Sequence, residues 1–387
     1  AAWLVWMAAL GLLYLTVPPS PDQSQFDWMA FIATRGQPYY AGSFDMNWPG
    51  AMWLHEAGLR LFGVHAWTWR ATDALLLAAF TGAGGAFLWR AGWPLAGAIF
   101  LFLYPPLYVT SGSWMAGQRD IVAAGFLLAA AALALPGSRA GARREGAGMA
   151  LAGVCVAAAV LIRPTYLSFL AGLLALEALP LTTRAPRRIG RGRRALLLAG
   201  GFAAAIGGVA ASMAALGILD DWYVQSVLFA LSVYAGDPPQ DWRVTLDTLF
   251  LRSWHWIGAL ALLGAVLWAW RDRASHALVV ALGIAATGAL SFAAQNKGFA
   301  YHLGAALPVI VLLVAVALEG LWRGRAAARG AAARAAATAA LVLAGALVVA
   351  GTGKKLTSLS EGAALLARGD PGPQDGHGLS EAERRRA

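Results

Sequence analysis

Two things are scarce in this chain of 387 residues: charge and cysteine. Asp, Glu, Lys and Arg make up 13% of it, roughly half the share found in soluble globular proteins, which excludes a water-soluble domain of this size. Cys155 is the sole cysteine and lies within an apolar run, so neither a disulfide framework nor a cysteine-based zinc site can form. The six histidines are scattered without paired spacing and give metal binding no support. No cofactor is expected, and dependence on a divalent metal is left open. There is no internal repeat of fixed period and no heptad pattern.

What the chain has in abundance is apolar sequence. Hydrophobic residues reach 59% and the mean hydropathy is positive, which makes the fold class an all-α polytopic membrane protein. A membrane-crossing helix needs about 20 mostly apolar residues. Eleven stretches qualify approximately: 1–17, 66–89, 93–110, 119–136, 147–162, 164–181, 195–217, 253–270, 275–293, 301–321 and 335–352. Only Arg163 and Pro164 separate the fifth from the sixth, so these are two short helices meeting at a surface or one broken segment. Residues 3–17 have the length of a signal-peptide core, but no small-residue cleavage site follows, and they count as the first membrane helix. The chain opens at Ala1 inside an apolar run, so a few residues are expected to precede it.

The net charge of +10 does not point to nucleic acid, because the arginines lie in short loops between spans. Arg139, Arg143 and Arg144 fall in 137–146; Arg184, Arg187, Arg188, Arg191, Arg193 and Arg194 in 182–194; Arg271 and Arg273 in 271–274; Arg323, Arg325, Arg329 and Arg334 in 322–334. With eleven spans all four segments share one side, which the positive-inside bias makes cytoplasmic. The N-terminus is then inside and the tail from Lys354 outside. Four segments face out: a first loop at 18–65, Ser111–Gln118, a second long loop at 218–252, and Gln295–Tyr301. They hold most of the acidic, aromatic and unusual polar residues.

The loop 18–65 carries Asp22, Asp27 and Asp45 and is rich in Trp, Tyr and Pro rather than in the Gly and Ser of a passive linker. Two short amphipathic helices fit inside it, at about 25–35 and 49–62, lying in the interface plane where indole rings are comfortable. We read it as an ordered lid on the membrane surface.

Three outward clusters are candidates for chemistry, since an ionisable group at the centre of a span costs about 2.5 to 3.5 kcal/mol on insertion scales. In the first, Asp22 and Asp27 are placed to accept a proton from a substrate hydroxyl; alternatively Asp22, after Ser20 and Pro21, caps a helix. The second is Gln118-Arg119-Asp120 at the outer start of a span. An arginine fork and a helix N-terminus both suit phosphate oxygens, or else Arg119 and Asp120 are a snorkelling pair at the interface. The third is Lys297, Tyr301 and His302, where a lysine on the outer side runs against the positive-inside bias, for an anion or for lipid phosphate. Arg163 at the outer junction is a further cation. Together they describe carboxylates and cations on one membrane face under an aromatic lid, suited to a phosphate at headgroup level and a neutral hydroxylated acceptor.

These motifs bring a resemblance. Asp22-Gln23 with Phe26 and Ala30, then Gly36-Gln37-Pro38-Tyr39, Pro49, Leu61-Phe62-Gly63 and Arg70 resemble the first outer loop of the GT-C membrane glycosyltransferases, and within them the family 39 branch of protein mannosyltransferases and lipid A aminoarabinose transferases. Gly117-Gln118-Arg119-Asp120 is similar to a Gly-Gln-Arg-Glu motif of bacterial members, and Lys297-Gly298-Phe299 with Tyr301-His302 and Pro308 to their Lys-Gly-aromatic-x-Tyr-His segment. Arg163-Pro164-Thr165 also fits. The resemblance spans about residues 1–320. It departs at Gln23, where many relatives have the Glu of an Asp-Glu pair, and the large soluble C-terminal domain of some GT-C enzymes is not expected.

The resemblance implies a GT-C-like catalytic core over 1–322; composition gives a basic loop and last span over 323–352 and, from its Gly, Pro, Asp and closing Glu-Arg run, a poorly ordered tail at 353–387. It implies an inverting glycosyltransferase that takes a sugar from a polyprenyl-phosphate donor to a glycan, lipid or protein acceptor on the outer face of a bacterial cytoplasmic membrane. Asp22 is then the general base, with Asp120 orienting Arg119 or the acceptor. Arg119, Lys297, His302 and Arg163 are candidates to hold the lipid phosphate, with Asp27, Gln118 and Tyr301 also binding substrate. The rival class is a transporter or flippase for a lipid-linked sugar. Such a protein places polar residues and broken helices at mid-membrane, often within a repeat, whereas here they cluster at one surface.

Overall fold

The computed structural model describes residues 2–135, 141–179, 188–233, 241–247, 255–273 and 275–367. No β-strand occurs among them. The chain runs α1 (Ala2–Tyr14), α2 (Pro21–Thr34), α3 (Pro49–Phe62), α4 (Thr68–Arg90), α5 (Pro94–Val109), α6 (Arg119–Ala134), α7 (Ala142–Ile162) and α8 (Leu167–Ala178). It continues through α9 (Arg191–Ala215), α10 (Leu219–Trp222), a π-turn (Tyr223–Leu228), α11 (Phe229–Ser232), α12 (Trp242–Asp247), α13 (His255–Arg271), α14 (His276–Gln295), α15 (Ala306–Ala327) and α16 (Ala331–Ala367). Six spans among the described residues are long and apolar enough to cross a membrane, and four shorter apolar helices accompany them. The protein is a multi-pass membrane protein.

Local sequence explains where several helices begin and end. Gln23 N–H donates to Ser20 Oγ and Ser20 N–H to Gln23 Oε1, with Pro21 in the first turn, a reciprocal capping box. The first lid helix therefore starts at Pro21, ahead of the expected 25, and its cap is Ser20, not Asp22. Between α7 and α8, Arg163 is extended (φ −142°, ψ 95°) and Pro164 opens a single 3₁₀ turn, because a residue before proline is pushed out of the helical region. The fifth and sixth stretches are thus two separate helices.

Two parts of the C-terminal region differ from expectation. Most of the stretch expected as a basic loop is helical, as the end of α15 and the start of α16. Its alanines are the strongest helix formers. The last helix also runs beyond 352, through the first part of the expected tail, to Ala367; 368–387 lie outside the described residues.

A continuous apolar core joins α1, α4, α5, α6, α7, α14 and α15. Where α7 crosses α9, a Cβ on Gly153 would lie 2.1 Å from Leu198 O and one on Gly201 would lie 2.0 Å from Ala150 O. Only glycine permits the backbones so close, the usual device for packing helices inside lipid.

The two ends of the bundle are chemically different. At one, fully buried Arg194 bridges Glu145 of α7 and Glu177 of α8 and donates to Ala134 O. Arg271 and Arg323 both donate to Gly92 O, and Arg90 reaches Ala132 O and Leu135 O. These bonds gather described residues from the four arginine-rich segments at a single end. The opposite end holds α2, α3, the heads of α6 and α8, and the turn between α14 and α15.

Candidate functional site

The foundation of this end is a buried arginine that sequence reading had placed only in the resemblance. Arg70, fully buried near the start of α4, donates from Nε to Val17 O (3.0 Å) and from Nη2 to Pro18 O (2.6 Å). Its Nη1 serves Tyr14 OH (2.8 Å) and Ala116 O (2.9 Å). Asp73, one turn along the same helix and also fully buried, accepts from Tyr14 OH (2.5 Å) and Tyr108 OH (2.6 Å). Tyr108 in turn accepts the Gly117 N–H at 3.0 Å. One Arg and one Asp inside an apolar helix thus fix both connections that frame the site, α1 to α2 and α5 to α6. Gly117 sits at φ +74°, and a Cβ there would lie 2.8 Å from Trp69 Nε1, 2.9 Å from Arg70 Nη1 and 3.0 Å from Asp73 Oδ2.

Two glutamines lock α2 onto this frame. Gln23 Nε2 donates to Ala116 O at 2.9 Å, and Gln118 Nε2 to Ser20 Oγ at 2.9 Å. The first bond gives the departure at position 23 a physical reason, since a glutamate has no N–H to offer that carbonyl. Gln118, expected among the substrate-binding residues, is buried in this framework instead of lining the main cavity.

Above the frame lies a cavity of about 420 Å³. The lid contributes Asp22 from α2 and Asp45 and Asn47 from the connection before α3; the bundle contributes Arg119, Arg163, Gln295, Tyr301 and His302. Asp22 is partly exposed. Arg119 passes over the Phe26 ring, 5.3 Å from its centroid, to donate to Asn47 Oδ1, while its Nε is buried without a hydrogen-bond partner. Arg163 donates to Gln295 Oε1 at 2.7 Å and pairs through Nε with Asp120 at 3.0 Å. Tyr301 stacks between Phe299 and Trp114, and buried His302 leaves Nδ1 without a partner.

Five of the nine residues singled out from sequence therefore meet in one cavity: Asp22, Arg119, Arg163, Tyr301 and His302. The others stand around it. Asp120 is fully buried behind Arg163, its partner in place of Arg119, because neighbours in a helix point about 100° apart. Asp27 is bonded to His55 Nδ1 at 2.7 Å, away from the cavity lining, and His55 stacks on Trp69 with ring centroids 3.5 Å apart. Lys297 is half-exposed between left-handed Asn296 and positive-φ Gly298 and is not among the cavity's lining residues.

Sequence reading missed Asn47, Gln295 and the role of Asp45. Only Asp45 left a signal, as a carboxylate in an otherwise charge-poor chain. Burial raises the Asp45 pKa, opposed by the Asn47 N–H and the charge of Arg119. Burial lowers the His55 pKa, opposed by its bond to Asp27; the neutral ring then donates Nδ1–H, as a carboxylate only accepts. Among the described residues no three His, Cys, Asp or Glu side chains converge as a metal-binding set.

No protein-family model matches the chain, and no curated protein matches it. Solved structures do. ArnT from Cupriavidus metallidurans, determined bound to undecaprenyl phosphate, aligns over 93% of this chain and 75% of its own with TM-score 0.61 and 17% identity. The Archaeoglobus fulgidus oligosaccharyltransferase tethered to an acceptor peptide aligns over 92% of this chain and 55% of its own, with TM-score 0.57 and 13% identity. AglB from the same archaeon, in complex with an inhibitory peptide and a dolichol-phosphate, gives TM-score 0.54 at 14% identity over 94% of this chain and 56% of that one. The chain shares the fold of these proteins. It spans about half the length of the archaeal proteins. Within this fold, carboxylates from the lid face arginines from the bundle across a single cavity.

Proposed function

We propose that the protein is an inverting glycosyltransferase that moves a sugar from a polyprenyl-phosphate donor to an acceptor hydroxyl, and that it is closest in kind to the family 39 branch. The observation that carries this is one cavity, at the end of the bundle opposite the arginine-rich loops, in which Asp22 shares the lining with Arg119 and Arg163. Fold neighbours bound to undecaprenyl phosphate and to a dolichol-phosphate support a lipid-phosphate donor. The eleven crossings expected from the sequence, with the arginine loops inside, put the cavity on the outer face of a bacterial cytoplasmic membrane.

The residues supply each step. The acceptor oxygen attacks the anomeric carbon from the face opposite the phosphate, forming the new C–O bond as the bond to the phosphate oxygen breaks. Asp22 takes the acceptor's proton. Arg119 and Arg163 hold the phosphate oxygens, where negative charge grows as the lipid phosphate leaves. Asp120 acts through Arg163: the ion pair keeps the guanidinium turned toward Gln295 and the cavity. His302 and Tyr301 close the site beside these cations.

The flippase reading finds less support, because the polar groups collect at the two ends of the bundle and leave an apolar middle. The test is to offer the protein, purified into liposomes, a set of polyprenyl-phosphate sugars and to follow release of free polyprenyl phosphate. Wild type should release it only when an acceptor is present, and Asp22→Asn should lower turnover by about 10² to 10⁴, the usual worth of a general base. Transbilayer movement of the donor without release would replace this reading with transport.

A further inference from the structure

Asp45 is a carboxylate of the cavity that the mechanism leaves unused. It is 2% exposed yet lines the cavity, and its carboxylate has two hydrogen bonds. Oδ1 accepts Asn47 N–H at 2.6 Å and Oδ2 accepts Gln25 Nε2 at 3.1 Å. Neither partner is a cation, and Arg119 acts on it only through its field. A buried carboxylate without an ion-pair partner is costly to keep, and an ionised carboxylate has about four acceptor sites. About two therefore remain for a ligand in the cavity.

The segment that carries Asp45 is firmly held. Its own N–H donates to Gln225 Oε1 at 2.9 Å, and Gln225 Nε2 donates to Tyr40 O at 2.7 Å. Tyr40 is held in the left-handed region at φ +67°, a strained conformation for a residue with a side chain, and its hydroxyl donates to Asn47 O at 2.8 Å. Ser226 Oγ reaches the same carbonyl at 3.0 Å. Gln225 and Ser226 belong to the π-turn, so the second outer loop fixes this wall of the first. Asn47, two residues beyond Asp45, accepts from Arg119. A short step of chain thus connects Asp45 to a phosphate-holding arginine, and the group covalently next to that phosphate is the sugar.

We infer that Asp45 recognises the transferred sugar, accepting hydrogen bonds from its hydroxyls, and that the site selects a neutral polyhydroxylated glycosyl group against one bearing a carboxylate. The inference rests on the reading of the cavity as a donor site. Charge gives it its direction. Arg163 is already balanced by Asp120 and Arg119 faces the phosphate, so a uronic acid would bring a third carboxylate beside Asp22 and Asp45 with no further arginine or lysine among the described residues of the lining. Beside a carboxylate as buried as Asp45 that repulsion is weakly screened. A hydroxyl, in contrast, donates to Asp45 with the strength of a bond to a charged acceptor.

The experiment compares wild type, Asp45→Asn and Asp45→Glu in liposomes with three probes: a polyprenyl-phosphate neutral hexose, the matching uronic-acid donor, and polyprenyl phosphate alone as a product inhibitor. Asp45→Asn should lower kcat/KM for the neutral donor by about ten- to a hundredfold and shrink the preference over the uronic acid. Inhibition by polyprenyl phosphate alone should change less than twofold, since that probe has no sugar. Asp45→Glu, which keeps the charge, should retain the preference. Equal weakening of sugar-linked and sugar-free lipid would show that Asp45 only shapes the Arg119 site, and a change confined to acceptor KM would move it to the acceptor side. Either overturns the inference, as would a wild type that prefers the uronic-acid donor. Wild type that turns over none of the lipid-phosphate sugars defeats the glycosyltransferase reading itself, an outcome visible without any variant.

Discussion

Removing the charge of Asp120 tests whether the structure has assigned the right partner to Arg163. Asp120→Asn keeps the size of the side chain and deletes the carboxylate that lies 3.0 Å from Arg163 Nε, in a pair whose side chains are 1% and 9% exposed. Breaking a buried pair by removing one member costs about 3–5 kcal/mol. Arg163 keeps its bond to Gln295 and borders a cavity that admits water, so the loss here should be nearer about 2–3 kcal/mol. Arg163→Gln alone leaves Asp120 as the uncompensated buried charge and should cost at least as much. In the double variant both charges are gone, and the coupling should return about 1–3 kcal/mol. Unfolding in detergent can be followed with a thiol-reactive dye, because Cys155 is the sole cysteine and is only partly exposed within α7. Activity should behave differently from stability: the double variant recovers its unfolding midpoint and stays impaired for the lipid-phosphate donor, with acceptor KM little changed. Additive stability losses would show that the two residues do not act as a pair, and restored donor use in the double variant would remove Arg163 from phosphate binding.

Arg119→Met should weaken donor use by about one to two orders of magnitude, the worth of a charge-assisted bond, while Lys297→Met, outside the cavity lining, should change donor KM by only a few-fold; steady-state kinetics that rank them the other way would reassign the phosphate site. Gly117→Ala should lower the unfolding midpoint and donor use together, since the added methyl meets Trp69, Arg70 and Asp73 at 2.8–3.0 Å and a left-handed non-glycine residue costs about 1–2 kcal/mol by itself; a variant of wild-type stability would show that the frame is not tight there. Because burial depresses the His55 pKa, its contribution to stability is complete above the unfolded-state value of about 6.5 and is lost as pH falls toward the folded-state value. Unfolding midpoints measured from pH 7.5 to 5 should therefore decline in wild type and decline less in His55→Gln, and parallel curves would remove His55 from the acid response.

Hydropathy is a local property, and the features that depend on it were legible without a structure. Each expected apolar stretch contains a helix, the second lid helix occupies Pro49–Phe62 as expected, and Pro164 interrupts the chain where a proline must. The sorting of residues into a basic end and a chemically varied end was legible too, since both membrane insertion and the choice of loop residues act on short windows of sequence. Five residues of the cavity could be named because ionisable groups at span ends are few and costly.

Partnership was not legible, because it depends on which helices pack together. Arg119 and Asp120 are adjacent in sequence, yet the first points to Asn47 and the cavity and the second to Arg163. Asp27 and Asp22 look alike in sequence, but one turn and a half of helix sends Asp27 to His55 and Asp22 to the arginines. The Arg70–Asp73 frame was hidden for a related reason: its acceptors are backbone carbonyls and tyrosine hydroxyls, which carry no distinctive sequence. Composition and periodicity determined that this chain is a helical membrane protein with its polar chemistry at one surface. Tertiary packing alone decided which carboxylate lines the cavity and which neutralises an arginine, since that choice is made by contacts between residues far apart in the chain.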